Sequence, residues 1–181
     1  MLRESSKAAL CGIISSLAVV IMLSTYLSPF LVYTAPAFSG LLLLLIINEL
    51  GIKWAAGTYV TISLISAFIV ADKEAAVFYT MFFGFYPIVD SVLNKKVGSV
   101  IVRTVLKFLT FNISCLVSFA VCMFVLSLDM SDIIGDTAAF TVIFALLMNV
   151  LFFVYDVLIM RLQELYVKKL RKKFRKLFNI R

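Results

Sequence analysis

The chain has 181 residues, of which 63% are apolar and 15% charged, with a net charge of +7 and no histidine. A soluble domain is closer to half apolar and about a quarter charged. One soluble core is therefore excluded, and hydrocarbon must be the solvent. Without His, and with no HExxH, GxSxG or GxxxxGK[ST] pattern, the sequence offers no zinc, nucleophile or nucleotide site. The expectation is a non-enzyme with no cofactor and no metal, in which any transport draws its energy from other chains.

The expected fold is all-α: a polytopic membrane protein with a six-helix transmembrane domain over 1–160 and a basic amphipathic tail over 161–181. The first span runs about Lys7–Leu27. It follows Arg3 and Lys7 as a signal peptide would, but it is near spanning length and lacks a small-x-small cleavage site, so it is expected to be retained. Its Ala8, Gly12 and Ser16 recur at i, i+4 and i+8, a stripe of small side chains that lets another helix come close. That helix is either one of this chain or one of a separate subunit. The uncharged segment Ser24–Thr34, with Tyr26, Phe30 and Tyr33, is expected to form an aromatic belt at the interface or to fold over the bundle.

The second span, about Ala35–Leu50, carries Pro36 in its first turn, where a missing N–H is harmless. After the tight turn at Gly51 the third span covers about Ile52–Ala71. The fourth, about Glu74–Leu93, holds Gly84 and Pro87, which predict a kink. The carbonyls that a kink frees must find partners or line a cavity. Tyr79, Phe82, Phe83 and Tyr86 follow helical spacing, and both a packed core and an aromatic ligand wall fit them. The fifth span covers about Val100–Leu128 and the sixth about Thr137–Met160.

Asn112, Asn149 and Asp156 are the strongest intramembrane polar groups. Asp156, Asp90, Lys53, Arg103 and Lys107 lie at similar depth, which predicts an ion-pair layer tying spans three to six together. Asn149 lies deeper and is the first choice for a ligand-facing amide. Cys11, Cys115 and Cys122 sit in apolar runs without metal-ligand spacing and read as small core side chains.

With six spans, all of the 17 Lys and Arg except Lys73 fall on one side, together with both termini. Basic residues resist translocation, so that side is expected to be cytoplasmic. The tail keeps Leu162, Leu165, Tyr166, Leu170, Phe174, Leu177 and Phe178 among its Lys and Arg. That pattern suits anionic lipid, at up to about 1 kcal/mol per basic residue near the surface, better than nucleic acid.

These features together resemble the substrate-binding S components of energy-coupling factor vitamin transporters, small bacterial membrane proteins with six helices and both termini inside. Ala8-x-x-x-Gly12-x-x-x-Ser16 is a looser version of that family's Ala-x-x-x-Ala docking stripe. The stretches from Lys7-Ala8-Ala9-Leu10-Cys11-Gly12, through Tyr33-Thr34-Ala35-Pro36, to Gly84-Phe85-Tyr86-Pro87 look like members of the group in Gram-positive bacteria. The resemblance implies a bacterial plasma-membrane location and uptake of a small, vitamin-like molecule. It implies docking through Ala8, Gly12 and Ser16 on a transmembrane coupling subunit served by separate ATPases. It also implies a ligand held in the outer half by Tyr33, Tyr79, Phe82, Tyr86 and Asn149. A competing expectation is a membrane scaffold whose basic tail recruits a cytoplasmic or cell-envelope partner.

Overall fold

The computed structural model describes residues 4–28, 30–127 and 138–170. The described chain is all-helical and holds six helices long and apolar enough to cross a membrane. In chain order these are α1 (Glu4–Leu23), α2 (Leu31–Glu49), α3 (Ile52–Ile69), a broken fourth span, α6 (Val100–Phe124) and α7 (Ala138–Leu165). The fourth span consists of α4 (Lys73–Phe78), a π-turn (Tyr79–Phe83) and α5 (Tyr86–Lys96). Because the spans alternate in direction, one end of the bundle collects Lys7, Lys53, Lys95, Lys96, Arg161, Lys168 and Lys169. This is the basic end; the other, with the α1–α2 and α3–α4 connections, is the loop end.

α2 lies at the centre, packed on α1, α3, the broken span and α7. Its position explains its composition, since no charge interrupts Leu31–Asn48 and Ser39, Gly40, Leu43, Leu44, Ile46 and Ile47 are all buried. The helix starts four residues before the expected Ala35, so Pro36 falls in its second turn rather than its first. Pro36 forfeits only the bond to the Val32 carbonyl, which an otherwise regular helix tolerates. At the basic end α2 reverses into α3 through Gly51 at φ +92°, a backbone region in which glycine meets no Cβ penalty. In the connection from α1 to α2, Tyr26 and Phe30 are exposed, while Tyr33, in the first turn of α2, packs against Phe78.

The break in the fourth span has identifiable causes. The Gly84 N–H bonds the Tyr79 carbonyl, five residues back instead of four, at 2.8 Å. The Thr80 carbonyl thereby loses its regular donor, and the Tyr59 hydroxyl donates to it at 2.7 Å. Pro87 has no N–H to give the Phe83 carbonyl. The Tyr155 hydroxyl stands 3.4 Å from that oxygen and 3.4 Å from the Ala37 carbonyl, so its one proton is shared between them. Both carbonyls freed by the kink thus find phenolic donors from neighbouring helices, as burial in lipid requires.

α2 passes this break at its closest point. A Cβ on Gly40 would lie 2.1 Å from the Phe83 carbonyl oxygen and 2.8 Å from the Tyr155 hydroxyl. On Gly12 it would meet no atom within 4 Å. Gly40→Ala should therefore lower stability by about 1–3 kcal/mol, the usual cost of overpacking, while Gly12→Ala should leave it unchanged. Thermal unfolding of both variants in detergent checks this, and equal melting temperatures would refute the close crossing.

Candidate functional site

Three features stand out: a buried ion cluster, an aromatic chamber above it, and a groove of small residues on the opposite flank.

The ion cluster lies toward the basic end. Lys107, on α6, is about 10 Å along the helix axis from Val100, and it is buried. Its Nζ pairs with Asp90 Oδ1 of α5 and, at 2.8 Å, with Asp156 Oδ1 of α7. The Tyr86 hydroxyl donates to the same Asp156 oxygen at 2.6 Å, and Asn94 Nδ2 donates to Asp90 Oδ2 at 2.9 Å. Asp90 is wholly buried. One ammonium thus joins three helices, and two residues of α5 add to the cluster, Tyr86 on the Asp156 oxygen that Lys107 also holds and Asn94 on the second oxygen of Asp90. The expected ion-pair layer exists, but it ties spans four to six. Lys53 is instead exposed at the edge of the groove described below, and among the described residues neither it nor Arg103 forms an ion pair.

Above Tyr86 the aromatic side chains continue without a gap. Tyr86 packs on Phe82, Phe152 and Tyr155 with ring centroids 5.0, 5.6 and 5.9 Å apart. Phe111 stacks on Phe152 at 4.7 Å and meets Phe82 edge-on at 5.0 Å. The rings of Phe82, Phe111, Phe152 and Tyr155 form the floor of a chamber of about 50 Å³ between α2, the broken span, α6 and α7. Tyr33, Phe78 and Phe119 form its loop-end wall, and Phe78 contacts Tyr33 at 5.2 Å and Phe119 at 6.1 Å. Polar groups are few. The Ser118 hydroxyl bonds its own helix at Ser114, the Tyr155 hydroxyl serves the kink, and the Cys115 thiol is unpaired.

Of the residues singled out from sequence, Tyr33, Phe82 and Phe83 line the chamber. Tyr86 lies one layer beneath, with its hydroxyl committed to Asp156. Tyr79 faces the other way, toward Tyr59 at 6.3 Å and the core shared by α1 and α3. The π-turn is the reason: it inserts one residue into the helical repeat, and the face that would unite Tyr79, Phe82 and Tyr86 is split. Asn149 is half-buried outside the chamber wall. Its Nδ2 donates to the Ala145 carbonyl at 2.8 Å, and its Oδ1 lies 3.4 Å from Asn112 Nδ2, so the two deep amides face each other between α6 and α7. Phe78, Phe111, Phe119, Phe152 and Tyr155 were not singled out from sequence. Their signal was available in the spacing of Phe111, Cys115, Ser118 and Phe119, which fall on one face of α6.

The third feature lies between α1 and α3. Ala8, Gly12, Ser15 and Ser16 face Gly57, Thr58 and Thr61 across a groove of about 820 Å³, with Trp54 and Lys53 toward the basic end. α1 packs on its own chain through Leu10, Ile14, Ser15, Ala18, Val19 and Met22, of which Ser15 and Val19 also border the groove, while Ala8, Gly12 and Ser16 are exposed. The small-residue stripe therefore borders open space and is not covered by another described helix.

Comparison with family models, with curated proteins and with solved structures finds no match to this chain. The site geometry therefore carries the functional argument.

Lys107→Met would leave two carboxyl groups facing one another in a buried site, and it should destabilise the bundle by about 3–5 kcal/mol. Adding Asp90→Asn and Asp156→Asn should recover most of that loss, because no unpaired charge then remains. Reversible unfolding in mixed micelles measures both variants. A triple variant no more stable than the single one would refute a purely electrostatic role for Lys107.

Proposed function

We propose that this chain is the membrane-embedded substrate-binding subunit of an uptake transporter of the energy-coupling factor type, placed in a bacterial plasma membrane with its basic end and both termini cytoplasmic. The observation that carries the reading is the aromatic chamber in the loop-end half, which would then be the outer half. Small-molecule sites are concave, mostly apolar and supplied with a few polar groups. A bundle serving only as a scaffold has no use for a cavity ringed by eight aromatic side chains from four spans.

Two further features support it. The chain has no nucleotide-binding motif, so the ATPases belong to other polypeptides. The open groove at Ala8, Gly12 and Ser16 offers a transmembrane coupling subunit a surface on which backbones can approach closely. Docking and ligand binding then fall on opposite flanks of α2. A six-membered ring needs about 150 Å³, so the chamber described here is the closed form, and entry requires Tyr33 and Phe78 to part at the loop end.

Native mass spectrometry of the purified chain should find a retained small molecule, and Phe152→Ala should release it. Gly12→Leu projects a larger side chain into the groove from a position where a Cβ meets no atom within 4 Å. It should reduce co-purification of membrane and ATPase partners by at least about tenfold, an interface-scale effect, and leave ligand retention intact. Undiminished co-purification would remove the groove from the docking role, and a bundle that retains no ligand would count against the whole reading.

A further inference from the structure

We propose that the chamber admits an organic cation and that Glu74 is its counter-charge. This rests on the reading of the chamber as the ligand site and names the chemical class it takes.

Glu74 and Phe78 are one turn apart on α4, which sets them on one face, and beyond the π-turn Phe82 is brought to the same chamber. Phe82 is in the floor of the chamber and Phe78 in its loop-end wall. Glu74 is therefore one turn above the mouth, half-buried, and within electrostatic reach of Tyr33 on α2 and Cys122 on α6. The adjacent cation is turned away from it. Lys73 Nζ donates to the Ala67 and Val70 carbonyls at 3.0 and 2.9 Å, which closes the end of α3. Among the described residues no ion pair or hydrogen bond reaches the Glu74 carboxyl group. Its nearest charged neighbour on the same small polar surface, besides Lys73, is Asp72, another acid.

An acidic side chain without a cation, above a ring of π faces, is suited to one kind of guest. The faces of Tyr33, Phe78 and Phe119 attract a positive charge. A neutral guest would strip water from Glu74 and return nothing, and an anion would be repelled. A cation offsets the lost hydration and gains from the rings as well. The chamber below accepts only the apolar part of the molecule, since its own hydroxyls are already engaged. The fitting guest is thus compact, with an apolar body directed inward and a nitrogen cation toward Glu74.

The test compares 1-methylpyridinium with toluene, a pair of nearly equal shape and different charge, by calorimetric titration of the full chain in neutral detergent. The wild type should bind the cation at least about tenfold more tightly, and Glu74→Gln should bring the ratio close to one. Raising the salt concentration should also lower the wild-type ratio, a readout that needs no variant. A wild-type ratio near one, or an unchanged preference in Glu74→Gln, would overturn the assignment of a cation and leave the chamber in place. If neither probe binds, the chamber reading falls with it.

Discussion

The arrangement of the whole bundle depends on where one carbonyl oxygen finds its proton. Pro87 denies the Phe83 carbonyl its regular partner, and no water is present in hydrocarbon to replace it. Tyr155 reaches across from α7 to stand 3.4 Å from that oxygen, and Gly40 gives α2 the clearance to pass beside it. Three helices are thereby brought to one point. The same break turns Phe78 and Phe82 toward α6 and α7 and places Tyr86 above Asp156. A straight fourth span would have presented one continuous aromatic face and no chamber.

Below the break, the Lys107 cluster has a different role. Burying two carboxyl groups and an ammonium costs more than it returns unless the geometry is good and the remaining acceptors are engaged. Here Asn94 engages the second oxygen of Asp90, and Tyr86 reinforces the Asp156 oxygen that Lys107 holds. Such a cluster adds little net stability relative to apolar packing, but it tolerates only one register of α5, α6 and α7. Leu, Ile and Phe can slide past each other at modest cost, whereas a lysine displaced by one turn would leave two acids unpaired in the membrane. The polar cluster fixes the relative heights of the three helices whose aromatic residues form the chamber floor.

Much of this was legible in the sequence. Apolar runs of spanning length separated by charges gave the six helices to within a few residues, because lipid imposes length and composition more strictly than water does. The kink was legible because Gly84 and Pro87 act locally. Asp90, Lys107 and Asp156 could be grouped by depth alone. The face of each residue around its helix was harder to read. Tyr79 was grouped with Phe82 by a regular period that the π-turn interrupts, and nothing local in Tyr79–Phe83 announces that turn. Asn149 stood out because it is polar and deep, yet Asn112 on the adjacent helix is an equally suitable partner, and a pairing between two helices has no signature in either one. Phe111, Phe119 and Phe152 are ordinary residues for a membrane span and acquire meaning only when three helices converge.

The small-residue groove and the chamber differ in a way that bears on how they would work together. The groove is formed by α1 and α3, whose contacts with the rest of the bundle run through α2 and the broken span. Its wall includes Thr58 and Thr61, and Tyr59, between them in sequence, donates to the Thr80 carbonyl at the kink. α3 therefore has one face on the proposed docking surface and another on the irregular turn that forms the chamber. A helix seated in the groove would press on α3, and the first polar contact it could disturb is Tyr59 on Thr80. If that bond is lost, the π-turn keeps a freed carbonyl without a donor, an arrangement that favours repacking of Tyr79–Phe83 and hence of Phe82 in the chamber floor. Under the proposed function, this is the shortest physical route from partner docking to release of a bound molecule, and its central link, Tyr59 on Thr80, lines neither the groove nor the chamber.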